Sequence, residues 1–130
     1  MTTDLSMLVW SAVLCVLLFL PYVLARVLSW GLVDTVGYPK NPPALPDWAQ
    51  RAHRVHINMA ENIGPFAALV LVAHVAGLAN ETTALGATLF FWARLAHAVV
   101  FIAGLPWVRT LAFLVGVAGE ALILLRILGG

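Results

Sequence analysis

The stretch Leu5-Ser-Met-Leu-Val-Trp-Ser-Ala-Val-Leu-Cys-Val-Leu-Leu-Phe-Leu-Pro-Tyr-Val-Leu-Ala25 contains no Asp, Glu, Lys, Arg or His. It supplies the roughly 20 consecutive apolar residues that a helix needs to cross a bilayer. A cleavable secretion signal would be shorter and would follow a positive cluster, whereas this run follows Asp4. It reads as a retained membrane helix, bent at Pro21 where the backbone loses a donor.

Composition extends that reading to the whole chain. Of 130 residues, 62% are hydrophobic and only 10% charged, and the mean hydropathy is +0.97. A soluble domain is about 45–50% apolar and about 25% charged. Seven Lys and Arg with six Asp and Glu cannot cover a water-soluble globule of this length. A soluble enzyme, a nucleic-acid binder and a disordered segment are therefore excluded. The net charge of +1 offers no basic patch for phosphate backbones. One cysteine, Cys15, excludes an intrachain disulfide.

Three more spans follow. Within the polar stretch 31–47, Tyr38–Pro46 carries four prolines that disfavour helix in the residues before them. A second helical pattern runs from about Trp48 to Gly77, and Leu78–Thr83 is a turn. A third runs from about Ala84 to Ala103, Gly104-Leu105-Pro106 makes a hairpin, and a fourth runs from about Trp107 to Leu128. The expected architecture is all-α: an integral membrane up-and-down four-helix bundle, one domain over residues 1–130, without internal repeats. Arg26, Lys40, Arg51, Arg54 and Arg109 fall toward the long loop, and Arg126 toward both termini. The positive-inside rule then places loop 31–47 in the cytoplasm and both termini on the opposite side.

Ionisable side chains inside a bilayer cost at least a few kcal/mol and need a partner or a purpose. On the second span Arg51, Arg54, Asn58, Glu61 and Pro65 share an arc of roughly 80° at 100° per residue. On the third, Arg94, His97 and Phe101 share one face. Glu61 and Arg94 have opposite charge and reach a similar depth, roughly 15–20 Å, so they are expected to pair. Pro65 has no N–H for the Glu61 carbonyl, which leaves an acceptor free at the deepest point of that face.

Arg109 sits in the first turn of the fourth helix, just after Pro106. A cation at the positive end of the helix dipole is unfavourable in isolation. Topology alone could place it there. The sharper reading is an anion site built from free backbone amides, Arg109 and the Thr110 hydroxyl, in which a bound thiol would ionise. His53 and His56 lack a carboxylate or cysteine to complete a metal set, so no metal site is expected. His74 and Glu120 are expected to make interhelical hydrogen bonds, Glu120 without an evident partner.

The run Arg51-Ala-His-Arg-Val-His-Ile-Asn-Met-Ala-Glu-Asn-Ile-Gly-Pro-Phe66 resembles the second-helix signature of the MAPEG family, the membrane-associated proteins in eicosanoid and glutathione metabolism. Arg54, His56, Asn58, Glu61, Pro65 and Phe66 carry the match, which Arg94, His97, Arg109 and Thr110 extend across nearly the whole chain. The overall look is of a short bacterial member. The resemblance implies a homotrimer in the bacterial inner membrane, with glutathione as co-substrate bound between neighbouring subunits near the cytoplasmic side. It implies that Arg54, Asn58, Glu61, Arg94 and His97 contact the tripeptide, and that Arg109 and Thr110 activate its thiol. The co-substrate's partner would be a small apolar electrophile or a lipid hydroperoxide drawn from the surrounding membrane lipid. The chain departs from catalytic members at Ile57, where they carry an arginine, and at Phe101 and Phe113, where they carry tyrosines.

The leading expectation is thus a glutathione-dependent membrane transferase or peroxidase. A non-catalytic bundle whose Arg–Glu pairs are structural is the second. A small proton-coupled exporter, with an uncompensated intramembrane Glu in a wet cavity, is the third.

Overall fold

Leu18 interrupts the first long helix. Helix α1 (Thr3–Leu17) ends there and α2 (Phe19–Trp30) begins directly after it. The break falls in the turn before Pro21, which has no N–H to give the Leu17 carbonyl. The rod resumes at once and runs to Gly31, whose φ of 82° ends it. This first membrane-length element therefore spans Thr3–Trp30, longer than the uncharged core from which it was anticipated.

The computed structural model describes residues 1–130. A short helix α3 (Leu32–Val36) occupies the start of the polar stretch, where no helix was anticipated. Tyr38–Pro46 is non-helical, as its prolines require. Helices α4 (Asp47–Val75), α5 (Glu81–Ala103) and α6 (Pro106–Leu128) follow. With the Thr3–Trp30 rod, they are four helices long and apolar enough to cross a membrane. There is no strand, and the architecture is an all-α membrane bundle.

Helix α5 starts three residues earlier than its apolar pattern because Asn80 caps it. The Asn80 side chain accepts from the N–H groups of Thr82 and Thr83, while Thr83 Oγ1 accepts from the Asn80 N–H. The Asp4 carboxylate, buried at the start of α1, lies within hydrogen-bonding distance of the same Thr83 hydroxyl (3.3 Å) and ties the two helix starts together. At the other end of α5, Gly104 takes a left-handed conformation, and Pro106 opens α6 at a position where its missing N–H costs nothing.

Helix α5 is the central element, packed against α1, α4 and α6. Its approach to α6 is closest at Gly86 and Gly119, where a Cβ on either residue would run into the backbone carbonyl of the other. Small residues let membrane helices approach this closely and gain van der Waals contact. Against α4, Phe66 stacks on Phe90 with ring centres 3.9 Å apart, and Met59, Val55, Val70 and Ile123 complete a dry core.

The two ends of the bundle differ. One holds both termini and the 76–80 turn, where Arg126 Nε donates to the Leu78 carbonyl at 3.0 Å. The other holds the 31–46 segment and the 104–105 hairpin, where Arg51 Nε donates to the Ile102 carbonyl at 2.9 Å. A guanidinium there meets the negative end of the α5 dipole. Arg51 thus serves as a terminal cap for a neighbouring helix, a role its place on the α4 face did not reveal.

Candidate functional site

Three helices converge on one groove. Asn58 of α4, His97 and Phe101 of α5, and Arg109, Thr110 and Phe113 of α6 line a cavity of about 240 Å³. A second compartment of about 170 Å³, between Arg51, Gly104 and Pro106, shares Phe101 and Arg109 with the first. The shared wall is a stack, with the Arg109 guanidinium carbon 4.5 Å from the centre of the Phe101 ring. Phe101 meets the His97 ring edge-on at 5.4 Å, and His97 lies 6.2 Å from Phe113. Arg94 also lies over Phe113, at 5.8 Å, so each guanidinium faces an aromatic ring of the groove.

Arg94 is the buried support of this groove, at 3% exposure. Its Nη2 donates to Asn58 Oδ1 at 2.5 Å, which fixes the Asn58 amide at the groove wall. Glu120 on α6 attracts it electrostatically, with no hydrogen bond between the two side chains. The expected Glu61–Arg94 pair does not form within the protomer. Glu61 is exposed on the outer face of α4, whereas Arg94 turns inward. Similar depth along two helices said nothing about rotation around them. The acceptor three residues before Glu61 on α4 takes the guanidinium instead.

Arg54 separates in the same way. It is exposed and lines a different cavity with Arg26 and His53. Asn58, Arg94, His97, Arg109 and Thr110 are therefore brought together within one chain, while Arg54 and Glu61 face outward. Ile57 is exposed as well, at 45%. All three are exposed on the same side of α4, Arg54 at the edge of the cavity it shares with α2.

The start of α6 has the features of an anion site. Leu105 offers no side-chain cap, and Pro106 has no N–H, so the Trp107 and Val108 amides are free of intrahelical partners. The Arg109 N–H is already committed to the Leu105 carbonyl, at 3.2 Å. Thr110 Oγ1 donates to the Pro106 carbonyl at 3.1 Å, so its proton turns toward a ligand only by giving up that bond. The chemistry available is cationic and hydrogen-bond-donating: positive charge over an aromatic face, at the positive end of a helix dipole.

Comparison with known proteins gives the family of the chain. Residues 7–129 match the family model described as the MAPEG family. Microsomal glutathione S-transferase 1 of Homo sapiens is 34% identical over 101 residues, covering 73% of this chain and 65% of that protein. Its Bos taurus counterpart is 34% identical over 89 residues, covering 64% and 57%. The chain thus spans roughly three-fifths of the length of these relatives. No solved structure matches it. A match over nearly the full length, carried by four apolar helices in one bundle, makes this a multi-pass membrane protein that belongs to the MAPEG family.

Proposed function

We propose that the protein is a membrane-embedded glutathione-dependent transferase or peroxidase, a single four-span domain that works as a homotrimer in a bacterial inner membrane. The observation that carries the reading is Arg109 stacked on Phe101 at the mouth of a groove shared with Asn58, His97, Thr110 and Phe113. Two relatives named as glutathione transferases support it.

In this reading the glutathione thiol lies beside Arg109 and the free amides of α6. Positive charge favours the thiolate over the thiol, and the proton leaves to water. The sulfur then attacks an apolar electrophile, forming a C–S bond while the leaving group departs with its electron pair. With a lipid hydroperoxide, two glutathiones become a disulfide as the hydroperoxide becomes an alcohol and water. Proximity and thiolate stabilisation supply the rate. Arg54 would hold a glutathione carboxylate, and Glu61 its ammonium.

The exposed residues support the proposed assembly. Glu61 lies about 20 Å along α4 from its start, a depth at which a carboxylate facing lipid is costly. The groove, at about 240 Å³, is also smaller than the roughly 300–1,000 Å³ of a self-sufficient ligand pocket. A neighbouring subunit against the outer face of α4 would enlarge the groove and cover Arg54, Ile57 and Glu61. Loop 31–47 would then face the cytoplasm, with both termini opposite.

The test is a glutathione titration of the purified protein, followed by thiolate absorbance and repeated with Arg109→Ala. Saturable binding with thiolate formation in the wild type, and binding without thiolate in the variant, is the expected pair. Wild-type binding without thiolate would favour a non-catalytic relative, a reading to which Phe101 and Phe113, as groove walls lacking hydroxyls, lend support.

A further inference from the structure

The largest cavity lies away from the groove, at the loop end of the bundle. It measures about 450 Å³ and is walled by Arg26 and Trp30 of α2, by Gln50, His53 and Arg54 of α4, and by the 42–45 segment. It holds two guanidiniums and an imidazole and no carboxylate. Its walls are fastened. Trp30 Nε1 donates to the Pro43 carbonyl at 2.9 Å, and Gln50 Nε2 donates to the Leu45 carbonyl at 2.8 Å, so the proline segment is pinned over the cavity from both helices.

Arg26 is set in place with unusual care. Its guanidinium carbon lies 5.0 Å from the Tyr22 ring centre and 5.6 Å from that of Trp30. Tyr22 is in turn fixed by a 2.7 Å hydrogen bond to His56 Nδ1 and by the His53 ring at 4.7 Å. Arg26 Nε is buried without a hydrogen-bond acceptor in the chain, and the guanidinium lines the cavity without an anionic partner. The depth is that of lipid headgroups. Arg26 is about 6 Å from the end of α2 and His53 about 9 Å from the start of α4, at the end of the bundle where the long spans emerge.

We propose that this cavity binds the phosphate of an anionic phospholipid headgroup. Planar guanidiniums recognise phosphate oxygens in paired hydrogen bonds. The absence of a carboxylate leaves no ion-pair partner for a headgroup ammonium, and the Trp30 and Tyr22 faces that could hold a choline are occupied by Arg26. The lipid must therefore carry net negative charge. This site shares Arg54 with the proposed glutathione site, but it is built on Arg26 and His53, which take no part in that reading.

The test is native mass spectrometry of the full-length protein, titrated in detergent with phosphatidylglycerol, phosphatidylcholine or inorganic phosphate. Saturable retention of phosphatidylglycerol is expected, weakened about tenfold in both Arg26→Gln and Arg26→Lys, and unchanged in Lys40→Gln, which removes an exposed loop cation. Arg26→Lys keeps the charge, so a loss there that leaves the oligomer intact reports on guanidinium geometry rather than on folding. Equal retention of phosphatidylcholine would overturn the proposal. So would inorganic phosphate binding as tightly as the lipid, or displacement of the lipid by glutathione at its own binding concentration. The glutathione titration of Arg109→Ala is read separately, so either assignment can fail without the other.

Discussion

Arg94 Nη2 donates to Asn58 Oδ1 at 2.5 Å, joining α5 to α4 at the inner wall of the groove. The guanidinium is 3% exposed and its Nε has no hydrogen-bond partner, so Asn58 supplies a bond that nothing nearby replaces. Hydrogen bonds to charged groups contribute about 1.5–3 kcal/mol, and loss of the acceptor leaves the charge under-satisfied. Asn58→Ala should destabilise the bundle by about 2 kcal/mol, measured by denaturant or thermal unfolding in detergent. An unchanged transition would mean that the Arg94–Asn58 bond does not hold α4 to α5.

Gly86 and Gly119 make a second inter-helix prediction, based on space rather than polarity. A Cβ on Gly119 would strike the Gly86 carbonyl oxygen, and backbone cannot turn aside as a flexible side chain can. Gly119→Ala should cost about 1–3 kcal/mol by overpacking. Gly64, inside α4, meets nothing within 4 Å of an added Cβ. Gly64→Ala should be neutral or stabilising by about 0.5–1 kcal/mol, because alanine is the better helix former. Opposite signs from the same chemical change, read on the same unfolding assay, check the packing directly.

The start of α5 rests on a cap rather than on apolar surface. Asn80→Ala removes the acceptor of the Thr82 and Thr83 amides and should cost about 1 kcal/mol. Faster hydrogen exchange should be confined to the first turn of α5 and to the Asp4 end of α1, which the Thr83 hydroxyl connects. Uniform loss of protection would instead mean that the cap holds the whole bundle.

The four spans were legible in the chain because hydropathy alone selects them and prolines and glycines punctuate them. Their ends were less so. Trp30 and Glu81 lie beyond the apolar cores from which spans are read, and α3 is a single short turn held between two glycines. Much of the groove was legible for a different reason. Asn58 and His97 stand on polar faces read from helical spacing, Arg109 and Thr110 in the first turn of the fourth span, and the structure lines one groove with all four. Glu61 was misjudged because period and depth fix a residue's height on a helix but not which neighbour that face meets. The Arg26 cavity was not legible at all. It needs α2, α4 and the proline segment to close around one arginine, and Arg26 alone looks like a topological charge.

Glu61 tests the assembly. It is exposed at mid-span and makes no hydrogen bond with its own chain's side chains, so within one protomer Glu61→Gln should leave the fold nearly unaffected. In a homotrimer that buries this face, the same change should weaken subunit association severalfold, read by chemical cross-linking or analytical ultracentrifugation in detergent. Unaltered association, with glutathione binding intact, would place the subunit interface elsewhere.

Arg109 and Phe101 separate charge from geometry. The guanidinium carbon lies over the ring, 4.5 Å from its centre, and a lysine ammonium lacks the planar group that a guanidinium presents there. If charge alone stabilises the thiolate, Arg109→Lys should keep the wild-type thiolate yield. If the stacked guanidinium must be aimed, the yield should fall about tenfold while glutathione still binds. Phe101→Leu supplies the complement, since it keeps the arginine and removes the aromatic face. The proposed site predicts that both variants lose thiolate absorbance in parallel and retain their unfolding midpoints. Loss in Phe101→Leu alone would mean that the ring contacts the ligand itself rather than positioning Arg109.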